Sequence, residues 1–208
     1  MRACDAAPVQ QPPDVEALRA TRDVAALSAA LEHPDDAVAD RAARALGDLR
    51  AADAIPALAR AVRERGARGS VWALTQLDDP RLVPPLITAL RHDDATARAL
   101  AAGKLAELGS RAAVPALLEV LRSDRDPHVR EEAARALGLL GDPAAVEPLL
   151  TAVRRDRGDH VREEAAAALG RLGDPRAVAP LLSARRDRHV AVRSAAEVAL
   201  RVLGVAED

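Results

Sequence analysis

At 208 residues the chain is long enough for one or two globular domains, but with no Phe or Tyr and a single Trp it excludes a core built on aromatic side chains. Thirty basic and 32 acidic residues leave a net charge of −2, which argues against a general polyanion binder. A lone cysteine, Cys4, excludes an intramolecular disulfide, and no run approaches the roughly 20 apolar residues of a membrane span. The opening MRACDAAPVQQPPD has no apolar signal-peptide core, so a cytoplasmic location is expected. Arg supplies 29 of the 30 basic residues, a bias that a GC-rich bacterial genome produces by itself.

Residues 1–13 are polar and proline-rich and are expected to be a disordered tail, followed by a single repeat domain over 14–208. Asp14 is placed to cap a short helix, Val15–Ala20, and Asp23 to cap the first full repeat. From there the sequence repeats itself. DPHVREEAARALGLL at Asp126 recurs as DHVREEAAAALGRL at Asp159, with weaker copies elsewhere. Helix A of each unit centres on Leu27, Leu58, Leu86, Leu117, Leu149 and Leu181, 28 to 32 residues apart. Helix B ends at Leu49, Leu77, Leu108, Leu140, Leu172 and Leu203, after an apolar stripe such as Val129, Ala133, Leu137 and Leu140. The units run over about 23–50, 51–78, 79–109, 110–141, 142–173 and 174–204.

Punctuation supports this division. Asp142-Pro143 and Asp174-Pro175 read as N-cap and first helical residue, and Ser110 as the cap of the fourth helix A. Gly141 and Gly173 suit the residue after a helix. Gly138 and Gly170 lie inside helix B, where close packing is expected rather than a break. Leu137 and Leu169 should be buried between repeats. Arg185 stands where the other repeats carry Leu31, Val62, Leu90, Leu121 and Val153, which reads as a polar cap on the last repeat, whereas Val198, Val202 and Val205 leave the final helix B unusually apolar.

The GDPxAVxPLL starts at Gly141 and Gly173 and the HVREEAAxALGxL helices at His128 and His160 resemble HEAT repeats, specifically the short HEAT-like repeats of phycocyanobilin lyase subunits. The resemblance covers about residues 23–204 and implies an all-α, right-handed α-solenoid of six helical hairpins. It also implies two enzymatic alternatives, a bilin lyase-like subunit or a deoxyhypusine hydroxylase-like oxidoreductase. The hydroxylase carries His-Glu dyads for two irons. Glu132 and Glu164 match the dyad glutamates here, but Glu131 and Glu163 stand where the histidines belong. A bilin site wants aromatic walls, and one Trp supplies few. No metal and no cofactor is expected.

Arg98, Arg130, Arg162 and Arg193 share one register, with Asp93, Asp94, Asp126, Asp159 and Asp187 just before them. A structural Asp/Arg ladder and an anion-binding ridge are the two readings of this row. His33, His92, His128, His160 and His189 lie in the turns, too far apart at one per repeat to share a metal ion. Repeat two has a shortened turn, RERGARGSVWALTQL. Trp72 in it either packs over Gly103 or forms an exposed contact patch.

Helix-B positions should line the concave face. They read Arg41 and Arg44, then Arg68 and Trp72, then Leu100 and Gly103, then Glu131, Glu132 and Arg135, then Glu163 and Glu164. The acidic centre repels phosphates, so nucleic acid is not expected as a partner. The expected function is a non-catalytic scaffold that binds a protein on this face, at Trp72, Leu100, Arg44, Arg68, Glu131, Glu132, Arg135, Glu163 and Glu164. A monomer is expected, and the C-terminal repeat is the surface through which a weak dimer would form.

Overall fold

A computed structural model describes residues 12–205. The expected disordered tail and Cys4 lie, apart from Pro12 and Pro13, outside the described residues. Within these the chain is all-helical. A short α1 (Val15–Ala20) precedes six antiparallel hairpins: α2 (Val24–Ala30) with α3 (Asp36–Asp48), α4 (Ile55–Arg65) with α5 (Arg68–Thr75), and α6 (Val83–Ala89) with α7 (Ala95–Glu107). The last three pair α8 (Val114–Ser123) with α9 (Pro127–Leu140), α10 (Val146–Arg155) with α11 (Asp159–Leu172), and α12 (Val178–Ala184) with α13 (Val190–Val202). The odd-numbered members from α3 onward are the B helices, and no described helix is long and apolar enough to cross a membrane.

Aspartates start these helices. Asp14, Asp23, Asp35, Asp94 and Asp126 each accept a hydrogen bond from a backbone N–H two or three residues on, satisfying a donor that the helix leaves open. Asp142 and Asp174 do the same for Ala144 and Arg176, but they open single 3-10 turns, Pro143–Ala145 and Pro175–Ala177, rather than the α-helices themselves. The α-helices α10 and α12 begin three residues later than the sequence suggested. Ser110 makes no side-chain cap bond, in contrast to expectation. Gly141 and Gly173 close α9 and α11 at φ 65° and 68°, a region that an L side chain enters only with strain.

The hairpins stack as a solenoid. B helices contact B helices far more extensively than A helices contact A helices, which places the B row on the inner, concave side. Leu137 and Leu169 are fully buried, as expected. Glycine sets the closeness of the B row. A methyl group on Gly138 would come within 2.6 Å of Ala168 Cβ, and one on Gly170 within 2.9 Å of Ala199 Cα. The last B helix carries Arg201 in this register, and Arg185 is partly exposed at the end of α12 with no further helical layer on it among the described residues.

The Arg row is a ladder, but its rungs differ from expectation. Arg98 donates to both oxygens of Asp124, Arg130 to both of Asp156 and Arg162 to both of Asp187. Each acid belongs to the following hairpin, 25 or 26 residues on. The acids just before the arginines are occupied elsewhere: Asp94 and Asp126 cap α7 and α9, and Asp159 faces His189. A second prong of each Arg reaches a carbonyl of its own turn, Asp93 O, Asp124 O or Asp156 O. The rungs are therefore charge-assisted, bidentate and shielded, Arg98 and Asp124 each showing only 7% of their side-chain surface. Burial raises Asp124 and Asp156, yet the arginine bonds outweigh it and hold both below the usual carboxylate range.

Candidate functional site

The B-helix face carries the residues singled out in the sequence, but not as one continuous strip. Arg41 and Arg44 on α3 are exposed. Arg68 at the start of α5 is engaged with Asp94 of the next hairpin at 3.4 Å. Trp72 is half-buried, and its ring lies against Gly47, whose added methyl would meet Trp72 Cζ3 at 2.8 Å. Packing over Gly103 is therefore corrected: the indole turns back to the preceding repeat. The shortened turn allows this, because α5 begins directly after Ala67 and its first turn sits low against α3, with Gly69 close to Asp40.

Gly103 instead leaves room in front of α7. A shallow cleft of about 370 Å³ opens there, lined among others by Thr75, Leu100, Gly103, Lys104, Glu132 and Arg135. It unites three of the expected residues, Leu100, Glu132 and Arg135. Lys104, not among the residues expected from the sequence, is buried and donates to Asp78 of the previous hairpin at 2.7 Å and pairs with Glu107 at 3.2 Å. Its being the sole lysine in an arginine-dominated sequence was the available signal. Arg135 donates to Glu132, so this pair is internally neutral.

The acidic centre lies on α9 and α11. His128 Nδ1 is 3.4 Å from Glu131 and His160 Nδ1 is 3.4 Å from Glu163, each one helical turn apart. The hydrogen bond to Glu163 and the nearby Asp159 push the His160 imidazole up. Glu164 differs from the rest. Its Oε2 is buried and accepts no hydrogen bond, and its nearest cation is Arg171 at 3.8 Å. Burial pushes the Glu164 carboxyl up against the opposing pull of Arg171 and Arg135. A buried carboxylate oxygen lacking a donor is an unfilled acceptor beside an open face.

Beyond the glutamates the face turns apolar. Val198 and Val202 on α13 are 52% and 66% exposed and follow Ala167 and Arg171 in register. The exposed apolar ground in these registers thus lies at Val198 and Val202, and at Leu139 of α9, 54% exposed in the register of Val202, rather than at Trp72.

These residues do not fit a di-iron centre. Glu131 and Glu163, at the histidine positions of a His-Glu dyad, are tied to His128 and His160 of their own helices, and among the described residues no three His, Cys, Asp or Glu side chains converge as ligands.

Comparison with known proteins agrees with this architecture. The model for HEAT repeats matches residues 64–131 and 114–201, and that for the PBS lyase HEAT-like repeat matches residues 38–64. No curated protein matches the sequence. Among solved structures, the complex of CpcE and CpcF of phycocyanin lyase from Nostoc sp. PCC7120 is 23% identical, with a TM-score of 0.61 over 98% of this chain and 82% of that one. Human deoxyhypusine hydroxylase in complex with glycerol is 24% identical, with a TM-score of 0.51 over 91% of this chain and 88% of that one. A designed armadillo repeat protein in complex with the peptide (KR)4 is 17% identical, with a TM-score of 0.63 over 87% of this chain and 99% of that one. At these identities the likeness is one of fold alone. The HEAT-repeat match extends through two overlapping stretches over well more than half of the sequence, and the chain belongs to the family of HEAT-repeat proteins.

Proposed function

We propose that this chain is a non-catalytic protein-interaction module that holds a segment of a partner protein on its B-helix face. The partner's basic side chains lie over Glu131, Glu132, Glu163 and Glu164. Its apolar side chains use the Leu100 cleft on one side of the glutamates and Val198 and Val202 on the other. The observation that carries this reading is the clustering of Glu131, Glu132, Glu163 and Glu164 on two adjacent B helices, where the Glu164 carboxyl meets no cation closer than Arg171 at 3.8 Å. The designed armadillo protein that shares the fold is in complex with a peptide of alternating Lys and Arg, a precedent for basic peptides on such a scaffold. Arg44 and Arg68 at the opposite end orient the partner by repelling its basic end.

The (KR)4 peptide, fluorescently labelled, is the first probe. Glu163→Lys combined with Glu164→Lys should weaken its binding about tenfold or more and slow association most at low salt. Trp72→Ala serves as the internal comparison, since its indole faces Gly47 and should matter less than the glutamates. Equal affinity for the parent and the double variant would remove the acidic face from the reading. The alternative, an enzyme or lyase subunit, rests on fold likeness to the hydroxylase and to the CpcE–CpcF complex. Stoichiometric iron in the purified chain would replace the present reading with that one.

A further inference from the structure

The turns of the fifth and sixth hairpins repeat a short motif that the B-helix face does not use. Arg154-Arg155-Asp156-Arg157 and Arg185-Arg186-Asp187-Arg188 occupy the same place between helix A and helix B. In each, the aspartate is consumed by the ladder, Asp156 by Arg130 and Asp187 by Arg162. The flanking arginines are left over. All but the partly buried Arg185 are exposed, and none of the six guanidinium groups makes a hydrogen bond or ion pair among the described residues. The fourth hairpin has the related turn Arg122-Ser123-Asp124-Arg125, but there Arg122 pairs with Glu119 and Arg125 donates to Asp93 O. The third hairpin's turn holds a single arginine of this kind, the exposed Arg91, so the clustering of unpaired guanidinium groups is greatest in the last two turns.

Helix electrostatics account for part of this. Arg154 and Arg155 end α10 and Arg185 follows α12, where a cation meets the negative end of the helix. Arg157 and Arg188 lie past the helix ends and gain nothing from it. The nearest following carboxylate, Asp159, is occupied by His189 at 3.0 Å. Between the two turns opens a shallow depression of about 440 Å³ lined by Arg154, Arg155, Arg157 and Arg188, together with Asp156 and the Arg162–Asp187 rung, both aspartates being engaged by ladder arginines. The whole chain carries a charge of −2, so this concentration of cations on one edge leaves the rest of the surface acidic. Guanidinium groups crowded without counter-charges repel one another, and a partner bearing anions relieves that repulsion.

We propose that this turn edge is a second docking surface, which takes a carboxylate-rich segment of a partner protein. Arg forks match carboxylates in bidentate geometry, and two turns about one helix spacing, roughly 10 Å, apart suit acidic residues three positions apart in a polyproline II-like chain, where every third side chain returns to the same face after about 9 Å. Nucleic acid fits less well. The lone aromatic side chain, Trp72, is in the second hairpin, so no stacking platform stands near the arginines, and the acidic remainder of the surface repels a long phosphate backbone.

The test uses the full chain and a labelled oligoglutamate peptide, with a thymidine oligonucleotide of equal charge as competitor class. The peptide should bind at low salt, weaken as salt rises, and lose about tenfold or more in affinity in the Arg155→Glu, Arg186→Glu double variant. Arg157→Gln with Arg188→Gln, outside any helix, repeats the measurement if the first pair perturbs the far-UV spectrum. Glu163→Gln with Glu164→Gln should leave oligoglutamate binding in place, which separates this surface from the B-helix face. Absence of peptide binding, equal binding by the arginine variants, or tighter binding of the oligonucleotide would each overturn the proposal.

Discussion

The two halves of the array are joined differently. From the third hairpin to the sixth, each junction holds a buried rung in which an arginine grips both oxygens of an aspartate in the next repeat. Between the first and second hairpins the direction reverses. Arg65 reaches back to Leu31 O, His33 O and Asp36, whose side chain is 93% exposed. The second and third hairpins meet through His92 bonding Gly66 O, the open Arg68–Asp94 pair, and Lys104 bonding Asp78. The second hairpin also buries the Ser70 hydroxyl without a partner, where every other repeat has Ala: Ala42, Ala101, Ala133, Ala165 and Ala196. In a linear array stability is close to a sum over junctions, so one shortened turn weakens its neighbourhood and leaves distant repeats intact.

The largest expected effect is on the rungs. Asp156→Ala strands a buried guanidinium and should cost about 3–5 kcal/mol, whereas Asp36→Ala, at an exposed pair, should cost less than about 1 kcal/mol. Chemical denaturation followed by circular dichroism measures both, and equal losses would erase the distinction between the halves. Leu137→Ala comes next at about 2–5 kcal/mol, with damage confined to the C-terminal repeats. A parent-like denaturation curve for this variant would contradict the burial of Leu137.

Trp72, the only Trp, reports the weak half directly. Its fluorescence should change at lower denaturant than the helical signal, because cooperativity across a repeat array is incomplete. Acid should close that gap. Asp187 is held low by its bond to Arg162, and Asp124 and Asp156 are low despite burial. Their folded pKa values lie below the unfolded value of about 4, so their stabilisation is complete above it and is lost as pH falls through the folded values. Asp78 and Asp79 are also lowered, but Asp78 is exposed and Asp79 is bonded to the exposed Arg81 of its own turn, so neither belongs to a shielded rung. The two transitions should therefore converge at acid pH. Transitions that stay apart would show that the rungs are not what separates the halves.

Smaller effects sharpen the same contrast. Ser70→Ala removes the stranded hydroxyl and restores the residue of the other repeats, which should stabilise the N-terminal half by about 1 kcal/mol. It should move the Trp72 transition and leave the C-terminal one in place. Arg50 sits at φ 49°, where Gly109, Gly141 and Gly173 close later repeats, so Arg50→Gly should gain up to about 1 kcal/mol. A loss instead would mean that the long Arg50–Asp78 contact, 3.9 Å, outweighs backbone strain.

The sequence disclosed whatever the repeat period carries. Leu137, Leu169, Gly138 and Gly170 could be placed because a residue's depth in a helix follows from its spacing. Which aspartate meets which arginine could not. Asp124 and Asp126 are near neighbours with the same chemistry, and each accepts a backbone N–H two residues on, so only the path of the turn decides which one meets the arginine. The contact of Trp72 was equally hidden, since alignment supplies a row of equivalent positions but not whether a ring turns to the repeat before or after it. The Glu164 oxygen without a hydrogen-bond donor was hidden too, because it reflects a difference between neighbouring repeats. Glu132, its counterpart one repeat earlier, binds Arg135, while Ala167 stands at that arginine's place beside Glu164. The acidic face was readable, but the oxygen left without a donor was not.

The glycines of the B row have one further consequence. Residues 142–173 present to each neighbour the same surface that residues 110–141 present: an aspartate for the rung below, Asp156 or Asp124, an arginine for the rung above, Arg162 or Arg130, and a glycine against the next Ala, Gly170 or Gly138. The unit behaves as an interchangeable cassette. A second copy inserted after Gly173 would find its acid, its arginine and its bare backbone already matched. The molecule would lengthen by one hairpin and carry one more pair of glutamates on its inner face. Arg201 marks the side from which it cannot grow, because a full side chain stands there where the cassettes leave only hydrogen.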